Sequence, residues 1–199
     1  MKFYELDTLA VDGSNEEEYA FVDQGLNELG LGSYMPSEGE SIEPELSEPL
    51  TLKIQPGSGL RLGTLIGNTH SYLLMARNAK ECIEELCPGV RIEFVPFTLY
   101  NSKNRVHSTD YFVINPIGTF DCIHRTASKI ESFVKPGSRD DGKIVGIDRL
   151  VLDTKKLVDA PPLFRIKDQC RVYVLNETLA QEFKKRKFTN IELIELPHE

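Results

Sequence analysis

A chain of 199 residues with 40% hydrophobic and 27% charged side chains can bury a real core, and its length is that of one large or two small domains. Those proportions exclude global disorder, and no run approaches the roughly 18 to 20 apolar residues that a membrane span needs. The formal net charge of −8 excludes general nucleic-acid binding, which requires a surplus of Lys and Arg on the docking face.

The chain opens with an alternating stretch over residues 2–6 that predicts a short first strand. It has no apolar core of a signal peptide, so the expected location is the cytosol. From residue 12 to 49 the pattern dissolves, and the breakers Gly30, Gly32, Pro36 and Gly39 predict a long surface loop or acidic arm, with one helical turn over 19–29. Residues 1–50 hold thirteen acids against one base, Lys2, while the rest of the chain holds eighteen acids and twenty-two bases. A −12 segment thus precedes a +4 body.

Period-two alternation returns at 50–54 and predicts a strand, followed by a turn at Pro56, Gly57, Ser58 and Gly59. Ala76, Ala79, Ile83 and Leu86 recur on one helical face, with Asn78 and Glu81 as an inner capping pair and Pro88-Gly89 as the stop. Strands are expected at 91–99, 110–115, 119–123, 144–152, 163–167 and 171–175. Leu175, Leu179 and Phe183 mark a further helix capped by Asn176, and 191–194 forms a last strand. Strands interrupted by helices without regular βαβ alternation predict an α+β fold, a mostly antiparallel sheet with two or three helices. An acidic, loop-rich N-terminal region at 1–69 is expected ahead of an α+β domain at 70–199.

Catalytic motifs are weak. The glycines of residues 55–63 lack the Gly-Lys-Ser/Thr ending of a phosphate loop, and neither Ser58 nor Ser128 lies in a Gly-x-Ser-x-Gly elbow. Asp110, Asp121 and His124, with Cys122 and His107 nearby, are the residues a small metal-dependent or acid/base hydrolase would use. Strand alternation puts Cys122 and His124 on one side and Asp121 on the other, so ordinary polar residues at a strand end are the favoured reading. Cys82, Cys87, Cys122 and Cys170 form neither a disulfide framework nor a paired metal motif, and no metal or other cofactor is expected. Lys184, Lys185, Arg186 and Lys187 complement the negative end of a helix dipole.

The acidic segment has a plain reading as a solvated, solubilising surface. Its acids are nonetheless mixed with Tyr19, Phe21, Leu29, Leu31, Tyr34, Met35, Ile42 and Leu46, and apolar anchors among charges are what an interface needs. Glu16, Glu17, Glu18, Glu38, Glu40, Glu43 and Glu45 are the expected attracting groups, with Tyr19 and Tyr34 as anchors.

The C-terminal two-thirds carries Ile92-Glu93-Phe94-Val95-Pro96-Phe97, Asp110-Tyr111-Phe112-Val113-Ile114-Asn115-Pro116, Phe120-Asp121-Cys122-Ile123-His124-Arg125, Ile147-Asp148-Arg149-Leu150-Val151-Leu152-Asp153, Pro162-Leu163-Phe164-Arg165 and Phe188-Thr189-Asn190-Ile191. Over about residues 70 to 196 this succession resembles the immunity protein 11 family, found beside polymorphic toxins in bacteria. The resemblance implies a non-catalytic inhibitor whose partner is a cognate toxin domain, a nuclease with a basic cleft being one such toxin. An aspartate usually stands in that family where this chain has His124. A general adaptor protein is the remaining alternative.

Overall fold

The computed structural model describes residues 1–9, 19–134, 137 and 142–199, with Ser132 and Phe133 by their backbone alone. Its strands are β1 (Phe3–Asp7), β2 (Phe21–Val22), β3 (Leu50–Lys53), β4 (Leu65–Asn68), β5 (Leu74–Ala76), β6 (Ile92–Tyr100), β7 (Val106–Pro116), β8 (Lys129–Phe133), β9 (Ile144–Arg149), β10 (Leu163–Ile166), β11 (Gln169–Asn176) and β12 (Glu192–Glu195). The α-helices are α1 (Met35–Glu38), α2 (Arg77–Leu86) and α3 (Glu177–Lys185). This is the α+β fold expected. No helix among the described residues is long and apolar enough to cross a membrane.

The central element is a mixed sheet in the order β2-β4-β5-β7-β6-β3, parallel only at β2·β4 and β3·β6. Both of its faces are covered. Phe112 and Ile114 of β7 point into a core shared with α2, α3, Leu6, Tyr173 and Leu175, while Tyr111 and Val113 point into a second core with Leu26, Ile42, Leu50 and Leu52. Residues 111–116 are therefore buried without interruption, as expected of a strand between two layers.

The second sheet, β10-β11-β1-β12, is antiparallel and joins the two ends of the chain, since β1 lies between β11 and β12. Its outer face carries Phe3, Phe164, Ile166 and Val174 into a third core with Cys122, Ile123 and Leu152, near the β8·β9 ribbon. The expected division near residue 70 falls in the turn between β4 and β5. Segments before and after it share both large sheets, because β1 pairs with β11 and β3 with β6.

Several elements differ from expectation for local reasons. α2 begins after Ala76, whose side chain makes no cap bond, so Asn78 lies inside the helix and does not start it. The predicted strand at 119–123 reduces to bridges at Phe120 and Ile123. Residues 19–29 form β2 and part of a 3-10 helix (Asn27–Gly32) in place of an α-helical turn. α3 follows the prediction: Asn176 Oδ1 accepts the Leu179 N–H at 2.9 Å, with Lys184 and Lys185 in the last turn.

In β1 the alternation places Tyr4 and Leu6 in the core facing the helices and Phe3 on the opposite face. Glu5 and Asp7 share the face of Phe3 by the same period. Glu5 is held above the ordinary carboxylate range, first by burial and then by the Asp7 and Glu192 carboxylates. A carboxyl whose folded pKa is raised contributes fully to stability below its unfolded pKa, near 4.3, and loses that contribution as pH rises through the folded value. Glu5→Gln is therefore expected to melt like the wild type at about pH 4 and at a higher temperature at pH 7. Equal melting temperatures at pH 7 would show that Glu5 is not under strain.

Candidate partner-binding face

From residue 19 to 49 the acidic segment docks as a layer over the six-stranded sheet. Its apolar side chains turn inward: Ala20, Val22, Leu26 and Ile42 are buried in the second core. Its backbone is tied down at several points. Glu28 Oε1 accepts the Thr51 N–H at 2.8 Å and its hydroxyl at 2.6 Å, and the Tyr72 hydroxyl donates to the Ser33 carbonyl at 2.5 Å. Glu93 accepts from the Ser41 hydroxyl and from the Ile42 N–H at 2.9 Å.

The strongest tie is a buried cation. Arg165 on β10 is 1% exposed. Its Nε donates to the Pro116 carbonyl (3.1 Å), Nη1 to the carbonyls of Cys170 (2.8 Å) and Ser37 (3.2 Å), and Nη2 to the Pro36 carbonyl and to Asn115 Oδ1 (3.2 Å). These are five acceptors for the five N–H groups of a guanidinium. Its Cζ also lies over the Tyr173 ring, 4.2 Å from the centroid. Asn115 passes the link on, donating to the Glu40 carbonyl at 2.7 Å and to Glu93 Oε2 at 3.1 Å. Gly39, at φ +75, closes α1 in the left-handed region; a Cβ there would stand 2.9 Å from the Gly118 carbonyl oxygen and 3.0 Å from Arg165 Cδ.

This docking sorts the predicted residues. Glu40, Glu43 and Glu45 are exposed, whereas Glu38 is half-buried and its Oε2 accepts the Cys170 thiol at 2.8 Å. Tyr34 is 54% exposed and Leu31, between two glycines, 97%. Tyr19 is only 7% exposed, bridged to Arg61 and covered by its guanidinium at 4.9 Å, so its ring offers a partner little surface. Glu16, Glu17 and Glu18 lie outside the described residues. Three exposed acids and two exposed apolar side chains thus lie along one segment, residues 31–45, that is fixed from beneath. Arg165, Asn115 and Glu93 escaped the sequence reading; the one signal was a charged residue inside an apolar strand, Leu163–Ile166.

The residues of the hydrolase reading go separate ways. Asp110 pairs with Arg77 Nε at 2.5 Å, and Asp121 with Lys156 at 2.8 Å and Lys167 at 3.9 Å. His124 Nδ1 accepts the Ala127 N–H at 3.2 Å and so caps a local turn. Among the described residues no three His, Cys, Asp or Glu gather in a way that could hold a metal ion. The four cysteines are free thiols. Burial pushes the thiols of Cys87 and Cys122 up to about 12. Cys170 is pushed up to about 11 by burial and by its bond to Glu38.

The chain with these sheets is, by class, an immunity protein. The chain belongs to the immunity protein family Imm11, whose family model matches residues 2–197. The match runs through the acidic segment and β1, beyond the 70 to 196 stretch of the resemblance. No curated protein matches the chain.

Two outcomes test the docking. Replacing Arg165 by Met leaves the carbonyls of Pro36, Ser37, Pro116 and Cys170 without their donor, and is expected to lower unfolding free energy by about 3–5 kcal/mol in urea titrations. A loss below about 1 kcal/mol would show that the network is dispensable. Glu38→Gln removes the charge that opposes thiolate formation at Cys170, so thiol labelling of the folded protein at pH 8 should speed up at Cys170 alone. An unchanged rate would mean that Glu38 does not govern this thiol.

Proposed function

We propose that this protein binds and neutralises a cognate bacterial toxin by direct protein–protein contact, acting in the cytosol of the toxin-producing cell without chemistry of its own. The observation that carries the reading, beside family membership, is an ordered acidic segment: Glu40, Glu43 and Glu45 are exposed on a backbone held by the body, and Leu31 and Tyr34 of the same segment are exposed as well. Exposed charges steer a basic partner and speed encounter, while a rigidly held aromatic supplies contact area at low entropic cost. A nuclease whose basic cleft takes the phosphate backbone is the toxin such a face fits best.

The test uses the toxin domain encoded beside this chain. The wild-type protein should bind it and protect cells from it. Glu40→Gln, Glu43→Gln and Glu45→Gln together should slow association at low salt and flatten its salt dependence, because charges over a Debye length of about 10 Å at 0.1 M are screened. Tyr34→Ala should instead raise the dissociation rate by about tenfold. Deleting the whole segment is not a clean test, since Leu26 and Ile42 would leave the core. An association rate indifferent to salt would sink the basic-cleft reading, and absence of any binding would sink the immunity reading.

A further test separates inhibition from catalysis. Asp110→Asn, Asp121→Asn and His124→Ala should each leave protection intact in a folded protein; loss of protection at wild-type melting temperature would restore the hydrolase.

A further inference from the structure

Among the described residues the four-stranded sheet ends in an edge that no further strand covers. β12 is its outermost strand and pairs with β1 alone. The Leu196 N–H donates to the Phe3 carbonyl at 2.9 Å. In an antiparallel ladder alternate residues of a strand bond the same neighbour, so the main-chain groups of Ile194 and Glu192 also face β1. Those of Leu193 and Glu195 then point away from the sheet, and among the described residues no protein group bonds them.

The two faces of this edge have different chemistry. On one, Glu192 and the 42%-exposed Ile194 continue the row of Glu5 and Asp7, in register Glu5↔Ile194 and Asp7↔Glu192. None of those three carboxylates has an ion-pair partner among the described residues; the nearby Lys2 is engaged with Glu195 at 2.8 Å. On the other face, Leu193 borders a groove of about 140 Å³ formed with Phe183, Lys184, Phe188 and Ile191. A strand added here would therefore meet carboxylates with one set of alternate side chains and, with the other, Leu193 and a groove whose lining mixes aromatic and aliphatic side chains with the Lys184 ammonium.

Charge decides which strand can add. A second copy pairing antiparallel on the same edge would lay the Glu5, Asp7 and Glu192 carboxylates of both chains on one continuous face, where like charges on neighbouring strands repel. We propose that the β12 edge accepts an extended segment of a partner protein whose side chains alternate between lysine or arginine and apolar residues. Main-chain bonds to Leu193 and Glu195 give such a segment its hold, and the two faces set its register. The added cations also relieve the carboxylate crowding that burial and mutual repulsion impose on Glu5. This edge is separate from the acidic face of residues 31–45, and the inference stands apart from the identity of any toxin.

The probes are two short capped peptides, one alternating lysine and valine and one alternating glutamate and valine, added to the full chain while amide exchange is followed by NMR. The lysine peptide should slow exchange at the Leu193 and Glu195 amides by about tenfold or more and shift the resonances of β12 and β1. Glu192→Lys should weaken the peptide by about tenfold. Glu195→Pro removes an outward donor while sparing the bonds to β1, and should abolish protection at Leu193. Should the proline variant fail to fold, Glu192→Lys still decides the matter. The proposal is overturned if neither amide is protected, if the glutamate peptide protects equally, or if Glu192→Lys leaves affinity unchanged.

Discussion

Burying a guanidinium is costly, and the fold is arranged around making that cost worthwhile. Arg165 sits where β10, the end of β7, the turn of Cys170 and the acidic segment meet, and each supplies an acceptor. All five acceptors are neutral, so the charge is solvated by dipoles in place of water, and the carboxylate of Glu93 reaches it only through Asn115. A network of this kind holds one arrangement firmly because every partial arrangement leaves a buried polar group unpaired. It is what turns the sequence around Pro36 to Glu40 from a loop into a fixed layer.

That layer serves the sheet and the surface at once. Its apolar residues complete the second core, where burying a side chain such as Leu26 or Ile42 contributes roughly 1.5–3 kcal/mol each. Its Glu40, Glu43 and Glu45 carboxylates, with no place in that core, are left in solvent on a backbone that cannot wander. Rigidity of this origin lowers the ordering cost of binding, so a face built this way gives up less affinity than a flexible arm bearing the same charges. The family model spans both ends of the chain, in keeping with a sheet in which β1 lies between β11 and β12.

The outer edge of that sheet shows a different balance. Exposed edges are usually protected by charge, and Glu192 and Glu195 do this for β12. Yet Glu5 and Asp7 add carboxylates on the neighbouring strand beyond what edge protection needs, and burial makes the free protein carry them at some expense of stability. Proteins tolerate such expense where a surface has a use.

Much of the fold was legible in the residues alone. Period-two alternation located β1 and β3, a strand-like run located β10, helical spacing located α2 and α3, and Asn176 gave the α3 cap, because these signals are local and need only a few neighbouring residues. The strand strings of the C-terminal body carry the resemblance to the family, and the charge asymmetry of residues 1–50 sets the acidic segment apart. Tertiary structure alone decided the rest. Tyr19 and Tyr34 look alike in sequence, and only packing buries the first under Arg61 while leaving the second in solvent. β4 and β5 are buried on both faces and so show no alternation, and like β8 they exist through their neighbours. Arg165, Asn115 and Glu93 lie far apart in the chain, and nothing local says that a charged residue in an apolar strand will find five acceptors there. The order of residues alone sets which segments are amphipathic and where the charge lies; that the acids from residue 19 onward stand on a fixed face was decided by long-range hydrogen bonds, which exist only once the sheets have closed.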